Sequence, residues 1–290
     1  MDGTNPVIAS GVENRPSSEL IGKLRLKAKH VRRNVLLMAK NKGDGYVGQG
    51  LGAADILTAM YFFELQLDPA RLASPERDRF LLSTGHYSIV LFATLAELGV
   101  IPRDELSSYG ADGSRLEMSA CETTSGVEIT GGSLGHGLSQ AVGMALGSRL
   151  SRRNFRVFNF LSDGELQEGA TWEAAMAAAN FKLDNLIALV DMNNMQADGK
   201  VSEVMKVEPV AEKWKAFGWH VQAVDGNSME ELVHALHTAR LVLDHPKVVV
   251  CTTLMGKGVR FLETRPKAHF VRVEAHEWDL ALSELEKSAP

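Results

Sequence analysis

The chain has 290 residues, 45% of them hydrophobic and 23% charged, with a formal net charge of −5. That size suits one large domain or two small ones. The absence of any basic cluster argues against a nucleic-acid partner, and no apolar run is long enough to cross a bilayer. The cysteines are Cys121 and Cys251, far apart, so a reducing cytoplasm and no disulfide framework are expected. Nothing around Cys121 in sequence marks it as a reactive thiol.

Residues 1–17 are polar, with Gly and Pro, and read as a loose arm without the charged-then-apolar order of a signal peptide. Residues 18–290 read as one domain. Ser17-Ser18-Glu19 is a helix start, and Leu20, Leu24, Ala28, Val31, Val35 and Leu36 recur at helical spacing. The Lys and Arg residues of this helix read as a solvated face. Gly43 to Gly52 is glycine-dense and predicts a connector or a close approach to a ligand, followed by a helix over Ala53–Phe63. Asp78 to His86 reads as a strand ending in a turn, with a helix continuing to Leu98. A His at that junction sits where anions bind. Asp104 to Glu128 predicts a long loop, and long loops inside compact domains are usually functional.

Gly126 to Leu138 leads into a helix of small residues, Ala141, Gly143, Ala145 and Gly147. Arg156–Leu161 and Leu186–Val190 are apolar runs suited to strands buried on both faces, joined by a helix over Leu166–Phe181. Such a unit puts Asp163 and Asn193 at the carboxyl ends of parallel strands, where open α/β sheets bind ligands. The carboxylate and the amide oxygen are hard ligands suited to Mg²⁺ or Ca²⁺, and Gly164 lets backbone N–H groups approach a phosphate. Further on, Pro209–Phe217 reads as a short helix, Trp219–Val224 as a strand, Ser228–Leu241 as a helix and Lys247–Thr253 as a buried strand. Trp278–Leu285 reads as a terminal amphipathic helix.

Asp163-Gly164, some thirty residues and then Asn193-Asn194 resemble the thiamine diphosphate motif. The interior Gly164-Glu-Leu-Gln-Glu-Gly169 and the later Ala197-Asp-Gly199 narrow the resemblance to transketolases, although Ser162 stands where that family usually has Gly. Ser-Thr-Gly-His86, Gly126 to Leu138 and Gly256-Lys-Gly-Val-Arg-Phe-Leu-Glu263 with His269 resemble further family segments. The resemblance spans about Ser18 to Leu285 and implies an α/β fold: a three-layer, doubly wound, mostly parallel sheet with helices on both faces. It implies thiamine diphosphate with Mg²⁺, Ca²⁺ or Mn²⁺ being substitutes. Asp163, Asn193 and the Met195 carbonyl would hold the metal. His86, Gly132, Ser133, Leu134, Asp163, Gly164, Glu165, Asn193 and His269 would hold the cofactor.

His86, His269, Glu168 and Tyr46 are the candidate catalytic residues, with Glu168 at a family position linking two active sites across an interface. Tyr46 stands where the family has a substrate-contacting His, and Ala268 where it has Trp. Glu117 to Cys121 replaces a Gly-His-Pro whose His also reaches substrate. The donor is therefore expected to be less hydroxylated than a sugar phosphate, such as a 2-oxo acid or a diketone. The resemblance reaches only the diphosphate-binding part of a transketolase. It implies a second subunit with the pyrimidine-binding and carboxy-terminal domains, in a heterotetramer of two copies of each. Two other readings stand beside a ketol- or acyl-transferring subunit: the α subunit of a 2-oxo acid dehydrogenase, and a non-catalytic paralogue with an assembly or regulatory role.

Overall fold

Five apolar runs become the strands of one sheet. In a computed structural model, which describes residues 16–265 and 269–288, they are β1 (Arg79–Leu82), β2 (Val157–Ser162), β3 (Leu186–Met192), β4 (His220–Asp225) and β5 (Lys247–Thr252). The order across the sheet is β1-β2-β3-β5-β4, and every neighbouring pair is parallel. The expected arm, apart from its last two residues, and Ala268 lie outside the described residues.

Successive side chains of a strand point to opposite faces, and on β1, β2, β3 and β5 both faces are buried, while the edge strand β4 is partly exposed. Phe80 and Leu82, Phe158 and Phe160, Ile187 and Leu189, and Val249 and Cys251 enter one core. Leu81, Val157 and Leu161, Ala188 and Val190, and Val248 and Val250 enter the other. This is why the strands carry continuous apolar runs rather than polar alternation.

The α-helices of six residues or more are α1 (Ser18–Lys42), α2 (Val47–Gly52), α3 (Ala54–Ala59), α4 (Ser88–Leu98), α5 (His136–Leu150), α6 (Gly169–Asn180), α7 (Val210–Ala216), α8 (Met229–Leu241) and α9 (Ala275–Lys287). The first core takes residues from α1 to α4, α8 and α9, and the second from α5, α6 and α7. The result is the expected α/β arrangement of a parallel sheet between two helical layers. No helix among the described residues is long and apolar enough to cross a membrane.

Ser17 caps α1 as expected, its hydroxyl accepting from the Leu20 N–H at 3.2 Å. The glycine-dense segment differs from expectation. Gly48 to Gly52 are helical, in α2, and the predicted helix over Ala53–Phe63 is instead α3 followed by a wider π turn over Met60–Glu64. The physical reason is close packing: a Cβ on Gly50 would stand 2.9 Å from Ile89 and 3.1 Å from Val35. Gly50 thus serves helix–helix approach rather than a turn. The helix expected from Leu166 also starts later, because Gly164–Gln167 form a 3₁₀ turn first.

The segment read as a long loop holds one 3₁₀ stretch, Arg103–Ser108, and then returns to the sheet edge. There Ala120 N donates to Gly85 O at 3.0 Å, and Gly131 N to Ala120 O at 3.0 Å. Gly131 is pressed onto β1: a Cβ there would sit 2.5 Å from the Leu82 carbonyl oxygen and 2.8 Å from Gly85 Cα. Both neighbours are backbone and cannot turn aside. Gly131→Ala is expected to cost about 2 kcal/mol or more in urea denaturation, within the range of overpacked sites. An unchanged midpoint would mean that the loop is not seated on β1.

Candidate functional site

The carboxyl ends of the strands carry the chemistry. After β1, a 3₁₀ turn over Gly85–Tyr87 presents His86 at the start of α4. The loop before α5 lies over this turn, with Gly132 N bonded to Ser83 O at 3.1 Å. Gly132 and Gly135 have φ of 113° and 83°, backbone that only glycine adopts without strain. A short antiparallel pairing of Asp44–Gly45 with Val271–Arg272 brings Tyr46 beside His269 and Phe270.

These elements surround a cleft of about 520 Å³, lined by Tyr46, His86, Gly132, Leu134, Gly164, Met195 and His269 among others. The other described clefts hold about 260 to 330 Å³. Met118, Ser119, Ser162, Gln196, Ala197 and Phe270 also line it and were not singled out as site residues from sequence. The Tyr46 ring centre lies 5.0 Å from that of His86, 5.6 Å from His269 and 5.1 Å from Phe270, and the two imidazoles are 5.4 Å apart.

Burial, and secondarily His269, pushes the His86 imidazole down to about 3, and burial lowers His269 as well. Both rings are therefore neutral at physiological pH. His269 Nδ1 stands 2.8 Å from Gln49 Nε2, a partner that sequence reasoning missed. An amide N–H donating to Nδ1 leaves the His269 Nε2–H free to donate.

Beneath the cleft, Asp163 is fully buried with no cationic partner among the described residues. Its oxygens accept from the Gly164 N–H at 2.8 Å and the Asn194 N–H. Burial, and then the neighbouring Asp191, raises its carboxyl to about 7. Asp191, also fully buried, accepts from Tyr87 Oη at 2.7 Å, Asn193 Nδ2 at 2.8 Å and the Thr253 hydroxyl. It thereby fixes the Asn193 amide. With Nδ2 committed to Asp191 and Tyr87, Asn193 Oδ1 faces away, accepting one bond from Met195 N at 2.9 Å and keeping a lone pair. Asp191, Tyr87 and Thr253 were missed in sequence, although Tyr87 adjoins His86 and Asp191 lies two residues before Asn193.

No group of three or more His, Cys, Asp or Glu among the described residues is arranged to hold a metal. Asp163, Asn193 Oδ1 and the Met195 carbonyl form a sparser set with one carboxylate. That fits Mg²⁺, which keeps waters and takes phosphate oxygens in place of further protein ligands. A buried carboxylate with only N–H partners also lacks the counter-charge that such an ion supplies.

The remaining predicted residues lie apart from the cleft lining. Ser133 is exposed on the loop. Glu165 points behind it: its Oε1 accepts from the Ser83 hydroxyl and from Gly135 N at 2.8 Å, while Oε2 has no partner. Burial raises Glu165 to about 7. Its carboxylate supports the Gly132–Gly135 loop from below rather than facing the cleft. Glu168 is exposed and packs on Gly135, where an added Cβ would meet Glu168 Cβ at 2.8 Å. Cys121 departs from its bland reading: hydrogen bonding with Thr123 and Thr130 lowers its thiol below the ordinary value.

The raised carboxyls set a pH dependence. Asp163 and Glu165 bind protons more tightly folded than at their ordinary values of 3.8 and 4.5, so the folded chain holds more protons between about pH 4 and 7. Stability of the cofactor-free chain from these groups should fall as pH rises through that window and level off above it. Urea midpoints at pH 5 and 8 test this. A higher midpoint at pH 8 in Asp163→Asn than in wild type is expected; a lower one would contradict the assignment.

Comparison with known proteins identifies the family. Residues 25–285 match the family model described as transketolase, thiamine diphosphate binding domain. An uncharacterised transketolase-family protein, y4mO, of Sinorhizobium fredii is 52% identical over 259 residues, covering 88% of this chain and 92% of that protein. The 6-deoxy-6-sulfo-D-fructose transketolase subunit SqwG of a Clostridium species is 39% identical, covering 91% and 96%. An apulose-4-phosphate transketolase subunit from Actinobacillus succinogenes is also 39% identical, covering 90% and 95%. Among solved structures, transketolase from Leishmania mexicana superposes with a TM-score of 0.83 at 26% identity, over 90% of this chain but 40% of that one. Transketolase from Campylobacter jejuni gives 0.82 at 29% identity, over 90% and 42%. The chain belongs to the transketolase family, whose thiamine-diphosphate-binding domain it carries.

Proposed function

We propose that this chain is the diphosphate-binding subunit of a split transketolase. It binds thiamine diphosphate with Mg²⁺, Ca²⁺ or Mn²⁺ being substitutes. It works in the cytoplasm with a second subunit that brings the pyrimidine-binding and carboxy-terminal domains, two copies of each forming the enzyme. The observation that carries this reading is the oxygen set of Asp163, Asn193 and Met195 beneath a cleft bearing two neutral histidines. Supporting the split is the length of the two relatives named as subunits, against solved transketolases of which the chain spans less than half.

When bound, the cofactor supplies the nucleophilic carbon for carbon–carbon bond cleavage and formation. This chain's own residues bind and orient. Asp163, Asn193 Oδ1 and the Met195 carbonyl would hold the metal. The Gly132–Leu134 segment and His86 would hold the diphosphate. His269, its Nδ1 occupied by Gln49, would donate from Nε2 to a substrate oxygen. Met118, Leu134 and Phe270 give the cleft part of its apolar lining. Glu168, exposed beside the loop, would act across the interface between subunits.

Tyr46 bears on the donor. It offers a phenol among three rings where the family has an imidazole. It favours a donor with fewer hydroxyls, a 2-oxo acid or diketone, passed as a ketol or acyl unit to an aldehyde or ketone acceptor. The chain reconstituted with its partner should turn over such a donor with a lower KM than a sugar phosphate. Tyr46→His should narrow or reverse that preference. Cofactor binding without turnover of any donor would favour the non-catalytic, regulatory reading instead.

A further inference from the structure

The opposite edge of the sheet holds a second charged cavity that the proposed reaction does not use. It has a volume of about 260 Å³ and is lined by Glu64, Asn154, Arg156, Asp184, Arg240 and Lys247 among others. Lys247 opens β5 and is only 3% exposed. Its ammonium donates to the main-chain carbonyl of Asp184 and has no carboxylate within ion-pair distance among the described residues. Burying a charge without a partner is costly, and such groups are normally paired.

The surrounding carboxylates are already engaged. Glu64 is held by both Arg156 and Arg240, Asp78 by Arg156 at 2.6 Å, and Asp184 by Arg149 at 2.5 Å. Four cations thus face three carboxylates, and the unmatched one is the buried lysine. Burial lowers Lys247 to about 8; Asp184 opposes this, while Arg156 and Arg149 add to it. His220, in register with Lys247 on the neighbouring strand, is kept neutral by burial and by Lys247, and its Nε2 has no partner. At the rim, Arg240 commits Nε and Nη2 to Glu64 and to the Phe63 carbonyl, and Nη1 makes no bond among the described residues.

We propose that this cavity is an anion site for a phosphate group, free or as a small phosphate monoester, with Lys247 as the buried charge and Arg240 at the mouth. The volume is several times the ~30 Å³ share of one water in the liquid, which leaves room for phosphate and a short organic stem. An anion there bridges the segments that begin β2, β3 and β5. The far ends of those strands carry Asp163, Asn193 and Thr253, about 20 Å away at the usual rise per residue. The site is chemically independent of the cofactor cleft and does not rest on the split-enzyme reading.

The test is calorimetric titration of the full chain with inorganic phosphate at constant ionic strength, repeated with glycerol 3-phosphate and in the presence of thiamine diphosphate with Mg²⁺. Saturable binding that thiamine diphosphate does not displace is expected. Lys247→Gln should weaken it by about tenfold, the scale of one charge-assisted hydrogen bond. Arg240→Gln, at a half-exposed residue whose loss the fold tolerates more readily, should weaken it by a smaller factor. Tighter binding of glycerol 3-phosphate than of phosphate identifies a phosphorylated metabolite as the ligand, and equal affinity identifies free phosphate. The proposal is overturned if phosphate shows no saturable binding, if thiamine diphosphate displaces it, or if neither variant changes its affinity.

Discussion

A carboxylate buried without a cation sits at the end of β2, and the carboxyl edge of the sheet is arranged around it. Asp163 receives only N–H donors, and Asp191, whose main-chain carbonyl accepts from the Asp163 N–H, is buried in the same way. Burial and the nearness of a second acid raise the affinity of Asp163 for a proton, a standing cost in the metal-free chain. A divalent ion held by Asp163, as proposed, would remove that cost. The electrostatic strain of the free chain and the proposed affinity for metal would then be two aspects of one arrangement.

The same arrangement ties distant segments together. Tyr87 donates to Asp191 and accepts from Asn193, so the turn that presents His86 is hydrogen-bonded to the amide that would ligate the metal. Thr253 joins from the end of β5. Glu165 holds the start of α5 through Gly135, and Ser83 joins Glu165 and the Gly137 N–H from β1. Four strand ends, those of β1, β2, β3 and β5, and the glycine loop are therefore positioned by buried polar bonds. Such networks specify one geometry because each unmade bond is expensive in a low-dielectric interior.

Much of this was legible in sequence because the signals are local. Continuous apolar runs such as Leu186–Val190 announced strands buried on both faces, and Asp163, Gly164 and Asn193 carried their chemistry in their residue types and spacing. What escaped depends on contacts between remote segments. Gly50 reads as loop punctuation until Ile89 and Val35 are seen against it. Gln49 is an ordinary amide until His269 arrives from 220 residues away. Asp191 lies inside a strand, where an acid alone has no evident role, and only Tyr87 and Thr253 reveal it as the anchor of Asn193. Cys121 has its thiol lowered by hydrogen bonding with Thr123 first and then with Thr130, which reaches it across a loop. Glu165 was grouped with the cofactor-contacting residues by its place in the motif, but its side chain turns inward toward Ser83.

The claim that the metal seat is a buried carboxylate awaiting a counter-ion is tested most directly with Mn²⁺ as the probe. Electron paramagnetic resonance titration of Mn²⁺ with thiamine diphosphate, on wild type and on Asp163→Asn, reads ion binding without reference to turnover. The account predicts cofactor-dependent immobilisation of Mn²⁺ by the wild type and a loss of at least about tenfold in the variant, as for removal of a charged ligand. Equal Mn²⁺ binding by the two proteins would contradict it.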